Sequence, residues 1–215
     1  MPKTLVVCTA GLKGSGKSVL SEAAAELGYQ VVSLGEVVRN ELAKRVGKIN
    51  HASMKAFSVE IRKKMGPAAV AALSAELVKE DTPKVVFDGL RSMDEYLFFK
   101  QKFGRCVLVA VHASPKTRFS RLTTRSKPDD PKTFEEFEQR DQVELALGLG
   151  SLMVLADYHL VNEGVSQTEF KKRVYKPAKN TLQRWQRAVA THLQTGTTSS
   201  VTPRFPLVSF GLYTQ

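Results

Sequence analysis

The sequence predicts a three-layer α/β fold, a parallel five-stranded sheet with helices on both faces. Five short apolar runs rich in β-branched residues occur at 4–9, 30–34, 84–88, 106–112 and 158–162. Helical patterns fill the intervals, so β and α alternate through to a final helix. Parallel strands need crossovers, and those crossovers cover the sheet. The 215 residues, 42% of them hydrophobic and 25% charged, suffice for one full core but not for two large domains.

The first run leads directly into Gly11-Leu12-Lys13-Gly14-Ser15-Gly16-Lys17-Ser18, which matches G-x-x-x-x-G-K-[ST] without a mismatch. A helix follows, with Val19, Leu20, Ala23, Ala24 and Leu27 on one side. Glycines in such a loop let backbone N–H groups turn inward around phosphate oxygens, and the helix start adds its positive dipole end. Lys17 is expected to reach the β- and γ-phosphates of ATP and Ser18 to hold Mg²⁺. A plain Gly-rich turn needs neither Lys17 nor Ser18. The expected fold is therefore of the P-loop NTPase type.

The third run, Val85-Val86-Phe87-Asp88, ends in a carboxylate. Ligands of open parallel sheets bind at the carboxyl ends of the strands, so Asp88 is expected beside the loop as a second Mg²⁺ residue. Asp88-Gly89 also reads as a turn signal. Helix starts after the later strands carry capping chemistry. Ser92 to Glu95, Thr133 to Glu136 and Ser166 to Glu169 fit the capping box, and Ser114-Pro115 offers an N-cap followed by Pro.

Two further segments then carry a resemblance. Ser33-Leu34-Gly35-Glu36-Val37-Val38-Arg39 resembles the acceptor-monophosphate segment of adenylate-kinase-type enzymes, and Asp88-Gly89-Leu90-Arg91 resembles their Asp-Gly-x-x-Arg region, one residue shorter. Gly66-Pro67-Ala68-Ala69-Val70, Val111-His112-Ala113-Ser114-Pro115, Asp129-Asp130-Pro131-Lys132-Thr133, Ala156-Asp157-Tyr158 and Asn162-Glu163-Gly164 look like an archaeal family described as dephospho-CoA-kinase-related or adenylate-kinase-related. The likeness covers about residues 3 to 174.

That resemblance implies a nucleoside-monophosphate-kinase-like enzyme using ATP and Mg²⁺ on a nucleotide-like acceptor, a nucleoside monophosphate or dephospho-CoA. It implies that Arg39 and Arg91 clamp the acceptor phosphate, with Ser33, Gly35, Glu36, Asp88 and Gly89 around it. It implies that Arg121 and Arg125 approach the transferring phosphoryl group, joined by Arg140 beyond a short lid at 126–139. Asn162 and Gly164 fall where the adenine ring would rest, or form an ordinary strand-ending turn. Glu36 sits where an acidic residue is suspected of taking the acceptor's hydroxyl proton, and a carboxylate at a helix start is equally explained by the dipole. A solvated or salt-bridged surface role is the alternative for each arginine.

The rest of the chain bounds the setting. Cys8 and Cys106 lie inside apolar runs and are expected as reduced core thiols. His112 and His159 fall within strands and are expected to be satisfied core histidines. There is no apolar run of about 18 residues and no secretory leader pattern, so the expected location is cytoplasmic.

The formal charge of +11 is uneven. Residues 1–170 carry 24 basic against 21 acidic residues, whereas everything beyond carries eight basic and none acidic. The expectation is a P-loop kinase-like domain at 1–175 and a basic C-terminal extension at 176–215. Leu182, Trp185, Val189 and Leu193 form an apolar helical stripe there. That helix either docks on the body or meets nucleic acid or another anionic surface. The alternative to a kinase is accordingly a nucleotide-binding regulatory or RNA-associated protein.

Overall fold

The computed structural model describes residues 4–45, 49–127 and 130–175. The strands are β1 (Leu5–Ala10), β2 (Gln30–Ser33), β3 (Lys84–Leu90), β4 (Cys106–His112) and β5 (Tyr158–Val161). The helices are α1 (Lys17–Glu26), α2 (Leu34–Ala43), α3 (His51–Met65), α4 (Ala69–Glu76), α5 (Met93–Phe103), α6 (Pro115–Arg125), α7 (Phe134–Ala146) and α8 (Leu149–Val154). A further helical stretch covers 167–175. The expected basic extension at 176–215 lies outside the described residues.

The sheet is parallel throughout, in the order β2-β3-β1-β4-β5. Central β1 is covered on both faces, and for that reason it reads as a continuous apolar run. On one face Cys8, Phe87 and Leu108 join α2, α3, α4, α5 and α8 in the larger core, where the Phe87 and Phe99 rings stack 3.8 Å apart. On the other, α1 and the 167–175 helix pack Leu20, Ala23, Phe170 and Val174 against Val109, Val111 and Leu160. These are the three layers expected.

Strict alternation gives way to three helices in each of two crossovers. Between β2 and β3 the Gly66-Pro67 pair separates α3 from α4, because Pro67 cannot continue a helix. Asn50 opens α3 with a full capping box to Ser53, 2.9 and 3.0 Å. Between β4 and β5, Ser126 ends α6 at φ 50°, and Thr133 starts α7.

The predicted capping serines and threonine accept as expected, from Glu95, Thr117, Glu136 and Glu169 N–H at 3.1–3.4 Å. The reciprocal half of the box differs in α5 and α7. Glu95 and Glu136 each reach one residue further back, to the Arg91 and Lys132 N–H, both at 2.8 Å. His112 and His159 are exposed rather than in the core: His112 is the last residue of β4, and β5 is an edge strand that buries only Leu160. Cys8 is buried and Cys106 half-buried, both as free thiols, and burial pushes the Cys8 thiol well up.

Candidate nucleotide-binding loop and adjoining cleft

The loop between β1 and α1 is built by contacts as much as by its own sequence. Gly14 (φ 85°) and Gly16 (φ 99°) take left-handed conformations that side chains disfavour. A Cβ on Gly14 would lie 2.9 Å from the Arg118 carbonyl oxygen, and one on Gly16 would lie 2.3 Å from Asn162 Nδ2. Two neighbouring segments therefore press directly on the loop.

Lys17 opens α1 and turns its ammonium back onto the carbonyl oxygens of Gly11 (2.5 Å) and Leu12 (3.2 Å). Burial lowers its pKa, and the Glu144 and Asp88 carboxylates pull against that shift. Ser15 Oγ is buried with no hydrogen-bond partner among the described residues. A buried hydroxyl is costly to leave unmatched, and in this setting it suits a loop completed by an oxyanion. Ser18 is exposed on the first turn of α1. Asp88 accepts the Thr9 hydroxyl at 2.5 Å, and Thr9 Oγ1 in turn accepts the Gly89 N–H at 3.1 Å. Ser18 and Asp88 are hard oxygen donors of the kind Mg²⁺ prefers.

Beside the loop opens a cavity of about 660 Å³. It brings together Gly11, Lys13 and Lys17 of the loop, Gly35, Glu36 and Arg39 of α2, Gly89 and Arg91 after β3, and Arg140 of α7. Arg39 pairs with Glu36 at 3.5 Å, Arg91 with Glu144 at 3.5 Å, and Arg140 with Glu136. Ser33 lies outside the lining and caps α2, accepting the Glu36 N–H at 3.4 Å.

Other predicted residues sit under or beyond the loop. Arg121 donates to the Asn162 carbonyl (2.9 Å), Asn162 Oδ1 (3.1 Å) and the Gly14 carbonyl (3.4 Å). Asn162, itself buried, donates to the Ser15 carbonyl at 2.9 Å. Both thus brace the loop from beneath. Gly164 occupies a turn with open space around it. Arg125 grips Asp130 through two bonds, 3.0 and 2.6 Å, and Lys13 reaches the same carboxylate at 3.2 Å. Burial pushes Asp130 up, but the Arg125 guanidinium, the Lys127 N–H and Lys13 outweigh it and hold the carboxyl at about 2.

Sequence reasoning missed Arg118. Its guanidinium is 2% exposed, takes both Asp141 oxygens (2.9 and 2.5 Å), and donates to the Ala113 (3.1 Å) and Lys13 (3.3 Å) carbonyls. It also lies 4.7 Å over the Phe137 ring, so one cation ties the loop to α6 and α7. The signal was present: Arg118, Arg121 and Arg125 fall at i, i+3 and i+7, one face of one helix. Glu163 anchors the start of that helix, accepting the Ser114 N–H (2.8 Å) and hydroxyl (3.1 Å). Also missed was the Arg62–Glu95 pair at the cavity wall, 2.7 Å.

The AAA domain family profile matches residues 10–138, which hold the loop and most of the cleft. A UPF0200 protein of Staphylothermus marinus is 42% identical over 185 residues, covering 83% of this chain and 97% of that protein. A UPF0200 protein of Hyperthermus butylicus is 44% identical over 168 residues, 78% of this chain and 89% of that one. Among solved structures, TT1252 from Thermus thermophilus is similar at 20% identity and a TM-score of 0.57, covering 83% of this chain and 98% of that one. Shikimate kinase from Bacteroides thetaiotaomicron is similar at 16% identity and 0.53, covering 81% and 98%. These two likenesses establish the fold. Among the described residues no helix is long and apolar enough to cross a membrane.

Proposed function

We propose that this chain, which belongs to the UPF0200 family and to the AAA domain family, is an ATP-dependent phosphotransferase acting on a nucleotide-like acceptor, a nucleoside monophosphate or dephospho-CoA. One observation carries the reading: the loop lysine Lys17 and three arginines from separate segments, Arg39, Arg91 and Arg140, line a single cavity. Phosphoryl transfer asks a protein for positioning and charge neutralisation rather than covalent chemistry, and guanidinium forks match phosphate oxygens. A loop that only hydrolysed ATP would have no use for a cationic chamber large enough for a second substrate.

In this reading the N–H groups of residues 11–18 and Lys17 hold the ATP polyphosphate. Ser18 and Asp88 would hold Mg²⁺, which would supply charge neutralisation on that polyphosphate. Arg121 and Asn162 keep the loop in its binding shape, and Gly164 leaves room for the base. Arg39 and Arg91 clamp the acceptor phosphate beside the α2 N-terminus, where Gly35 exposes the backbone and Ser33 caps the turn. Arg140 and Arg125 stabilise the transferring group, each after exchanging a lid carboxylate for phosphate oxygen. Glu36, next to Arg39, would take the hydroxyl proton where the acceptor is dephospho-CoA.

The test is incubation with Mg-ATP and a panel of nucleoside monophosphates and dephospho-CoA, read by the mass of the acceptor. One panel member should gain a phosphoryl group with wild type and not with Lys17→Ala. Hydrolysis of ATP at the same rate with and without every acceptor would overturn the reading.

A further inference from the structure

Arg62 lies on α3, a helix to which the sequence assigned no functional residue. It lines the cleft and its side chain is 16% exposed. Nη2 donates to Glu95 Oε1 at 2.7 Å and Nη1 to the Ser58 carbonyl at 3.1 Å. A guanidinium carries five N–H donors, so these two bonds among the described residues leave further donors in a largely desolvated position. The planar fork cannot turn freely while Glu95 holds one corner.

Glu95 is wholly buried, at 0% exposure. Its other oxygen accepts the backbone N–H of Arg91 at 2.8 Å. One carboxylate therefore fixes a guanidinium arriving from α3 and the backbone of the segment carrying Gly89 and Arg91. Taking such a pair out of water costs about as much as its attraction returns, so stability alone is a weak reason for it. Presentation of a cation with spare donors at a cavity wall is a sufficient one. The α3 residues that share this lining are mixed, Met54 and Val59 with Lys55 and Ser58. Arg62 and Glu95 are themselves largely out of water, which strengthens any hydrogen bond the guanidinium makes there.

We propose that Arg62 contacts the acceptor and that Glu95 is its positioning residue. The acceptor then presents a second lone-pair-rich group away from the phosphate clamped by Arg39 and Arg91: a carbonyl, a ring nitrogen or a further anionic oxygen. The inference rests on the phosphotransfer reading for its acceptor, and its test reads binding rather than transfer.

Calorimetry is run with AMP, GMP, CMP, UMP and dephospho-CoA, each with Mg²⁺ and a non-hydrolysable ATP analogue. The proteins are wild type, Arg62→Lys and the pair Arg62→Met/Glu95→Gln, in which no charge is left buried and the new amide keeps an oxygen for the Arg91 N–H. The best wild-type acceptor should bind about tenfold more weakly to Arg62→Lys and about 30-fold or more to the pair, while analogue affinity changes less than about twofold. If the pair fails to fold, Arg62→Lys, which keeps the charge, decides. The proposal is overturned if acceptor affinity stays within about twofold of wild type, if analogue affinity falls in parallel, or if no panel member binds wild type. Arg62-dependent binding without transfer would sink the proposed reaction and leave this assignment standing.

Discussion

Asn162 and Gly16 compete for one small volume: a Cβ on Gly16 would stand 2.3 Å from Asn162 Nδ2, the atom that donates to the Ser15 carbonyl at 2.9 Å. The strand-end residue and the loop fit only because Gly16 has no side chain. Gly16→Ala meets both this clash and a φ of 99°. It should cost about 2–4 kcal/mol in urea unfolding and abolish nucleotide binding. Asn162→Ala removes the clash but also the bond to the Ser15 carbonyl and the one from Arg121, so in the double variant stability should recover only in part, the φ of 99° remaining, and ATP affinity should not recover.

Lys17 is held by loop carbonyls that phosphate oxygens would replace, so its removal should leave the fold nearly untouched. Lys17→Ala should weaken Mg-ATP binding by roughly 10²-fold, measured by calorimetry, with a melting temperature close to wild type. Because burial lowers the lysine's pKa, wild-type affinity should decline with rising pH at a midpoint below that of an ordinary lysine. Lys17→Arg, which cannot deprotonate, should show no such decline if it binds at all.

Asp130 is held at about 2 by Arg125, the Lys127 N–H and Lys13, below the ordinary carboxylate value of about 4. A depressed folded-state pKa means that the stabilisation is complete above about pH 4 and is lost as pH falls towards about 2. Urea unfolding of wild type and Asp130→Asn should therefore converge across that window. The difference between them should change by at most about 1.4 kcal/mol per pH unit, the slope for one proton.

Arg118 fastens Asp141 to the loop from a fully buried position, and Asp141 is itself only 13% exposed. Arg118→Met should destabilise the protein by about 3–5 kcal/mol by stranding that carboxylate. Arg118→Met/Asp141→Leu should recover most of this stability in denaturant melts. Nucleotide affinity should stay low in both, because the Lys13 carbonyl has lost its donor.

The eight consecutive residues from Gly11 to Ser18 made the loop legible, since their chemistry is local. The strands were legible because both faces of the sheet are covered, and apolar runs of four to seven residues then mark them within one or two positions. The helix count was not. Ala69 to Glu76 is rich in small residues with no polar stripe, so α4 gives no period to read. Arg62 and Glu95 lie 33 positions apart, Arg118 and Asp141 23 apart, and only packing brings each pair together. Glu95 was further hidden by its fit to a capping box, a purely local explanation, whereas its carboxylate takes the Arg91 N–H and the Arg62 guanidinium.

The carboxylates that face the cleft's cations have a kinetic corollary. Glu36, Glu95, Glu136 and Glu144, all in the lining, already oppose Arg39, Arg62, Arg140 and Arg91 one to one. Seen from beyond a Debye length, each such pair is a dipole rather than a charge, and its field decays quickly. These four arginines therefore add little to the pull on a distant polyanion, and ionic strength should act on its arrival mainly through the chain's other charges. Discrimination is deferred to the moment of contact, when a visitor must offer oxygens in the right places to replace those the protein already supplies.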